Sequence, residues 1–338
     1  MFSGRPWRFK AGVLLLLTAL GMVAGVFLGG CRQRNPGAAG GGASGGRIPV
    51  VATIYPLADF ARLVGGERVS VTQLLPQGAE PHDWEPSPKD IMKLYRAKLV
   101  IYNGAGLEPW MARLLPSLRS KGVRVMEATK GLQLLTFAEE EKQGWTVYVN
   151  GSGRLREKGG MGGGPVDPHA WLDPLLAREI VSRMAKELIA VDPAGKVDYM
   201  RRAQALQNRL AGLDRAYTVA AQGFRRKDII VSHAAFGYLG RRYGLRQVPV
   251  LGLAPEQEPD AATLAKIVDY GRKHGIRYVF TEPTANPRIA GTVARELGVP
   301  VLPLTPIDNL SPQERVRNCD YFDLMLQNLN NLKKALGE

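Results

Sequence analysis

From residue 48 to the end of the chain, short apolar runs rich in β-branched residues alternate with longer segments whose apolar residues recur every three or four positions. This alternation is typical of parallel sheets flanked by helices. The predicted strands cover residues 48–53, 69–75, 98–102, 123–127, 228–232, 248–251, 277–280 and 299–302. Four strands in each half of the chain predict an α/β protein with two similar lobes.

One helical segment separates the two sets of strands and is unusually long. Residues 196–223 contain no proline, and Gly223 supplies a helix stop. Apolar residues recur with helical spacing at Ala203, Leu206, Leu210, Leu213, Tyr217 and Ala220. At about 1.5 Å per residue this helix would run roughly 40 Å. We therefore expect a rigid linking helix at 192–224 between an N-terminal lobe at 48–191 and a C-terminal lobe at 225–338.

The segment 137–165 fits neither pattern. Residues 145–149 alternate in polarity like a strand, and residues 150–164 are rich in glycine and other turn-forming residues. We expect a small exposed hairpin on a mobile loop.

The N-terminus has the pattern of a secretory signal. Arg5, Arg8 and Lys10 precede an uncharged apolar run at 11–28, as expected of a signal peptide. The run ends in Gly-Gly before Cys31 and resembles the lipobox of bacterial lipoproteins, which implies a signal peptide at 1–30 and a lipid on Cys31. A transmembrane anchor is the alternative, because about 18 apolar residues are just enough to span a bilayer.

Composition bears on the location and the partners of the chain. Residues 31–47 are mostly small and basic and predict a flexible tether, so the folded part would lie outside the cytoplasm, anchored to the cell membrane. The formal net charge is +14, but the basic residues are spread along the chain with acids among them. Nucleic-acid binding needs a basic stripe or patch, so we expect no nucleic-acid partner.

Three of the four histidines lie in restrained settings near predicted strands. A proline precedes His82 and His169, a tryptophan follows each of them two residues later, and His233 follows the strand predicted at 228–232. Each alone could be an ordinary hydrogen-bonded histidine. Together, three imidazoles and one carboxylate would form a site suited to zinc. His274 lies near a predicted helix end, where a cation is favourable, and is not assigned to the site.

Three motifs resemble those of the zinc- and manganese-binding solute receptors of bacterial ABC importers, a family that includes surface lipoproteins once called adhesins. They read LPQGAEPH at 75–82, DPHAWLDP at 167–174 and SHAAFGYL at 232–239. The resemblance covers essentially all of the chain from residue 48 onward. It implies two α/β lobes joined by one long helix, with the metal held between the lobes by side chains at the positions of His82, His169 and His233.

The resemblance also implies a fourth ligand, an aspartate after the last strand of the second lobe. Asp308 fits this position, although Asn309 stands where many members have proline. Glu282 follows the strand predicted at 277–280 and competes for the fourth position, but we expect it to hydrogen-bond a ligating imidazole instead. Three nitrogen ligands favour Zn²⁺. Mn²⁺ is the alternative, because the segment 137–165 lacks the His-rich loop of many zinc receptors.

The function that follows is capture of a metal ion outside the membrane and its delivery to an ABC permease, by a protein that acts as a monomer and is not an enzyme. The sequence has no phosphate-binding GxxxxGK[ST] motif, so the ATPase would be a separate chain. Two alternatives are a surface adhesin with a structural metal and a zinc hydrolase. The hydrolase would need an open coordination position and a general base such as Glu282.

Overall fold

A computed structural model of the chain describes residues 46–149, 166–251, 259–284 and 287–337. The predicted signal peptide at 1–30, the proposed lipid site Cys31 and nearly all of the predicted tether at 31–47 therefore lie outside the described residues. Within the described ranges, no helix is both long enough and apolar enough to cross a membrane.

The first sheet contains β1 (Ile48–Ala52), β2 (Val69–Gln73), β3 (Leu99–Tyr102) and β4 (Arg124–Glu127), all parallel, in the order β2-β1-β3-β4. Alternate residues of a strand point to opposite faces. In β3, Leu99 and Ile101 pack into one apolar core while Val100 and Tyr102 pack into another. Both faces are therefore covered, which is why this strand reads as a continuous apolar run.

The second sheet repeats this arrangement with β5 (Asp228–Val231), β6 (Arg246–Pro249), β7 (Val279–Thr281) and β8 (Val301–Pro303), in the order β6-β5-β7-β8. In β5, Ile229 and Val231 pack on one face and Ile230 on the other. Two parallel four-stranded sheets confirm the predicted fold class.

The last three strands are offset from their predicted positions. β6 begins two residues earlier than predicted because two polar residues join it: Arg246 Nη2 donates to Asp228 Oδ2 at 2.8 Å, and the buried Gln247 is hydrogen-bonded. β8 begins after Pro300, which has no N–H for the ladder. β7 begins where Val279 pairs with Val301. The pattern of apolar residues does not reveal that the polar residues Arg246 and Gln247 can be hydrogen-bonded within a strand. It also does not reveal that Pro300 lacks an N–H for the ladder.

The helices of the described ranges are α1 (Tyr55–Gly65), α2 (Pro88–Arg96), α3 (Met111–Ser120), α4 (Phe137–Gln143), α5 (Pro174–Val191), α6 (Lys196–Gln222), α7 (Gly237–Tyr243), α8 (Ala261–Lys273), α9 (Arg288–Leu297), α10 (Pro312–Val316) and α11 (Tyr321–Gly337). α6 is the predicted long helix, and Gly223 caps its C-terminus. It packs against α1, α5 and α11, and Tyr217 Oη donates to Met325 O at 2.7 Å. The lobe boundaries at 191 and 225 stay a prediction.

The prediction of an exposed hairpin at 137–165 is wrong for the residues that the structure describes. Residues 137–143 form α4, because Thr136 and Glu139 form a reciprocal capping box. The alternating residues that follow lie along the second sheet: Thr146 is 1% exposed and bridges Gln247 of β6, and Val147 N donates to Gln247 O at 2.9 Å. Residues 150–165 lie outside the described residues.

Candidate metal centre

The three predicted histidines converge from separate segments. His82 follows β2, His233 follows β5, and His169 precedes α5. Their potential ligand atoms all lie within 4.8 Å of one another. His82 and His233 lie beyond the carboxyl ends of parallel strands, where α/β proteins usually bind their ligands.

The spacing of the imidazole nitrogens suits a tetrahedral metal ion. His169 Nε2 lies 3.3 Å from His82 Nε2 and 3.4 Å from His233 Nε2. Ligands at about 2.0–2.1 Å from zinc in tetrahedral geometry are separated from one another by about 3.4 Å. These two distances therefore match the edges of a zinc coordination tetrahedron.

Burial differs among the three rings. His169 and His233 are 0% exposed, whereas the His82 side chain is 16% exposed. Burial lowers the pKa of His169 well below its usual range. Burial and the two neighbouring imidazoles lower the pKa of His82 to about 2. Both rings are therefore neutral and present a lone pair for a cation.

A carboxylate orients each of the two buried rings. Asp167 Oδ1 lies 2.7 Å from His169 Nδ1, and Glu282 Oε1 lies 2.7 Å from His233 Nδ1. Donation from Nδ1 leaves Nε2 as the coordinating nitrogen. The structure thus places Glu282 against the Nδ1 atom of His233, while the Nε2 atom of that ring faces His169. The sequence had suggested this use for Glu282 but had assigned no role to Asp167.

Asp308 is buried in the same region but is not part of the group within 4.8 Å. Its Oδ2 atom has no hydrogen-bond partner among the described residues. Burial, together with the nearby Glu282 carboxylate, raises the pKa of Asp308 to about 7. A buried oxygen without a hydrogen-bond partner costs free energy unless a ligand binds to it. Asp308 Oδ2 is therefore available to coordinate a cation.

Glu80 is a site residue that the sequence reasoning did not single out. Its Oε1 atom lies 4.0 Å from His82 Nε2, and the side chain is 25% exposed. Burial and the charge of Asp308 raise its pKa to about 8, and Glu282 adds to this shift. Carboxylates that raise one another's pKa create a negative potential that a divalent cation would relieve. The sequence feature that could have identified Glu80 is its position two residues before His82 in the first motif.

A buried polar cluster of Glu140, Thr146 and Gln247 adjoins Asp167. Burial and the charge of Asp167 raise the pKa of Glu140 to about 10, so its neutral carboxyl can donate to Asp167. Thr146 Oγ1 donates to Glu140 Oε2 at 2.6 Å, and Gln247 Nε2 donates to Thr146 Oγ1 at 2.8 Å. Through these contacts Asp167, which orients His169, is connected to the segment around Thr146 that lies along β6.

Gly237, the first residue of α7, leaves the space that the Glu140 carboxyl occupies. A Cβ atom at Gly237 would lie 2.2 Å from Glu140 Cδ. Gly237→Ala is expected to lower the free energy of unfolding by about 3 kcal/mol, the upper end of the range for overpacking, as measured by urea denaturation. The matched control is Gly212→Ala in α6, where the nearest atom would be 3.7 Å away and about 0.5–1 kcal/mol of stabilisation is expected. Equal stabilities for the two variants would contradict this placement of Glu140.

The chain matches one protein family over most of its length. The family described as "Zinc-uptake complex component A periplasmic", ZnuA, matches residues 50–335. The high-affinity zinc uptake system protein ZnuA of Bacillus subtilis is 34% identical over 292 residues, which are 86% of this chain and 88% of that protein.

Two streptococcal proteins are similar in sequence and structure. The zinc-binding lipoprotein AdcA of Streptococcus pneumoniae is 33% identical over 293 residues, 87% of this chain but 56% of AdcA, and its Zn(II)-bound structure superposes with a TM-score of 0.72. The laminin-binding protein Lmb of Streptococcus agalactiae, described as bifunctional with adhesin and metal-transporting activity, has a TM-score of 0.72 at 32% identity and covers 85% of this chain and 99% of its own. This chain therefore spans little more than half of AdcA and nearly all of Lmb.

Proposed function

Since this chain belongs to the family of periplasmic zinc-uptake components, we propose that it captures Zn²⁺ between its two lobes outside the cytoplasm and delivers the ion to an ABC permease. The observation that carries this proposal is the pair of Nε2–Nε2 distances, 3.3 and 3.4 Å, that join His169 to His82 and His233. Two of these rings are fully buried and each is fixed by a carboxylate at Nδ1.

The proposed ligands are His82, His169 and His233, with Asp308 as the fourth. Support for Asp308 comes from its burial and from its unpartnered Oδ2 atom. Glu80 is the competitor for this position because its carboxylate is the one recorded 4.0 Å from a ligating nitrogen. Glu282 is assigned to the orientation of His233.

Zinc is the proposed cargo, and manganese is the alternative. Three imidazole nitrogens are softer donors than the carboxylate and carbonyl oxygens that suit manganese. The relatives also carry zinc in their names: ZnuA of Bacillus subtilis is a zinc uptake protein, and AdcA is a zinc-binding lipoprotein.

The proposal treats the protein as a receptor and not as an enzyme. A catalytic zinc keeps an open position for water, whereas here Glu80 Oε1 lies 4.0 Å from His82 Nε2 and the buried Asp308 interacts electrostatically with His233. Adhesion is compatible with transport, since Lmb is described as having both activities. We further propose that the protein acts as a monomer and is anchored to the membrane through a lipid on Cys31.

Native mass spectrometry of the metal-stripped full-length chain, offered equimolar zinc and manganese, tests the proposal. We expect one zinc ion per chain, removable by a chelator, because a receptor must release its cargo. Preferential uptake of manganese would keep the transport function and change the cargo. A zinc ion that no chelator removed would favour a structural metal, and the absence of stoichiometric metal would reject the proposed site.

A further inference from the structure

Asn309, which directly follows Asp308, uses the full hydrogen-bonding capacity of its side chain. It is 1% exposed. A side-chain amide has two N–H donors and one oxygen with two lone pairs. Here Nδ2 donates to Pro76 O at 2.7 Å and to Ala79 O at 3.0 Å, while Oδ1 accepts from Gln73 Nε2 at 3.0 Å and from Leu310 N at 2.9 Å.

The two carbonyl groups that accept from Asn309 flank the turn leading to His82. Ala79 N donates to Pro76 O at 3.2 Å, and Gly78 within this turn has a φ of 72°, a conformation that glycine adopts readily. Asn309 follows β8 in the C-terminal lobe. Its side chain therefore holds a turn that belongs to the N-terminal lobe.

Outside the turn, two hydrogen bonds join the loop after β8 to the N-terminal lobe, and one of them is the Gln73 bond already described. Gln73 is the last residue of β2, and its bond to Asn309 ties the end of the N-terminal sheet to the loop after β8. Tyr55 N, at the start of α1, donates to Asp308 O at 2.9 Å. The loop after β8 is therefore hydrogen-bonded to the N-terminal lobe at both Asp308 and Asn309.

The loop after β8 also has a strained backbone. Ile307 has a φ of 63° and is fully buried, although a β-branched residue is disfavoured in the left-handed region. Ile307 N donates to Thr305 Oγ1 at 3.1 Å, and Thr305 N donates to Asn328 Oδ1 at 2.9 Å. Such a conformation persists only where surrounding contacts hold it, and it is typical of binding sites.

We propose that Asn309 is an interlobe clasp, a positioning residue that holds the turn before His82 against the loop of Asp308 and thereby slows the release of zinc. This inference rests on the proposed function. Asn309 makes no recorded hydrogen bond to a histidine of the site and acts through the carbonyl groups of Pro76 and Ala79.

The burial of the site explains why a clasp at this turn would control release. His169, His233 and Asp308 are 0–2% exposed, so His82 is the ligand next to solvent that must move when the ion leaves. A cleft of about 550 Å³ borders residues 75–77 and Leu310. The turn therefore has space to move once the bonds to Asn309 open.

The test is the rate of zinc dissociation from the zinc-loaded full-length chain after mixing with excess chelator. Asn309→Ala removes both donors, and dissociation is expected to be about tenfold faster, the change that about 1.4 kcal/mol produces. Hydrogen exchange of the metal-free protein should be faster at residues 76–84 and unchanged in β5. Gln73→Ala removes one bond of the clasp, should accelerate release less, and should add little when combined with Asn309→Ala.

The matched control is Asn331→Ala in the same lobe, where Nδ2 of Asn331 donates to Pro303 O at 2.8 Å and takes no part in the bonds of Asn309. It should leave zinc release unchanged even if it lowers stability. Wild-type release rates in both Asn309→Ala and Gln73→Ala, with zinc bound normally, would reject the clasp alone. If Asn309→Ala does not fold, the rate for Gln73→Ala decides. A wild-type chain that retained no zinc would reject the proposed function and the clasp with it.

Discussion

Replacing His169 with alanine is expected to lower the affinity for zinc by more than about a hundredfold, because losing even a residue that orients a ligand costs about 10–100-fold. His169 takes part in both of the short Nε2–Nε2 contacts. Its loss would also remove the imidazole that lies 2.7 Å from Asp167 Oδ1 and leave this buried carboxylate with fewer partners, which is unfavourable. Competition with a chromophoric chelator at fixed pH measures the change.

The fourth histidine supplies the control for this experiment. His274 stacks on Tyr270 with ring centroids 3.9 Å apart, and it is not in the group of three histidines. His274→Ala should leave zinc affinity within about twofold of the wild type, the scale of a surface change of a few tenths of a kcal/mol. If both variants bound zinc as tightly as the wild type, the three-histidine site would be wrong.

The fold could be predicted because its determinants are local. The strand β3 of the first sheet is buried on both faces and stands out as an apolar run, and α6 combines helical spacing with a glycine stop. α4 was missed because its evidence is a capping box, Thr136 with Glu139, within a short segment of weak periodicity. Periodicity reports burial of a helix face, and a seven-residue helix has too few positions to show it.

The histidines could be predicted for a different reason. Each lies in a distinctive local sequence, and parallel strands bring their carboxyl ends to one edge of a sheet. The roles of Glu140 and Asn309 depend on contacts between residues far apart in the chain, such as Asn309 with Pro76, or on burial that composition does not reveal. A single sequence without alignment carries no signal for such pairs.

Charge balance connects the site geometry to zinc binding. The carboxylates of Glu80, Glu282 and Asp308 surround the imidazoles, and in the metal-free protein His233 compensates part of their charge. Burial lowers the pKa of His233, but the charge and hydrogen bond of Glu282, together with the charges of Glu80 and Asp308, raise it to about 9. The metal-free site therefore holds a proton on the ring that zinc must coordinate.

Zinc affinity is consequently expected to fall about fiftyfold between pH 9 and pH 7, because one displaced proton changes the affinity tenfold per pH unit well below the pKa and less than that near it. The sign follows from the raised pKa: above about 9 His233 is already neutral and the affinity levels off, whereas below it zinc competes with a proton. Titrations of zinc affinity across this range, with proton release measured in buffers of different ionisation enthalpy, test this. Glu282→Gln removes the charge that raises the pKa of His233, so it should flatten the slope above pH 7 while weakening binding at pH 9. A wild-type affinity that did not change between pH 7 and pH 9 would show that His233 is neutral before zinc arrives, and that its contact with Glu282 serves orientation alone.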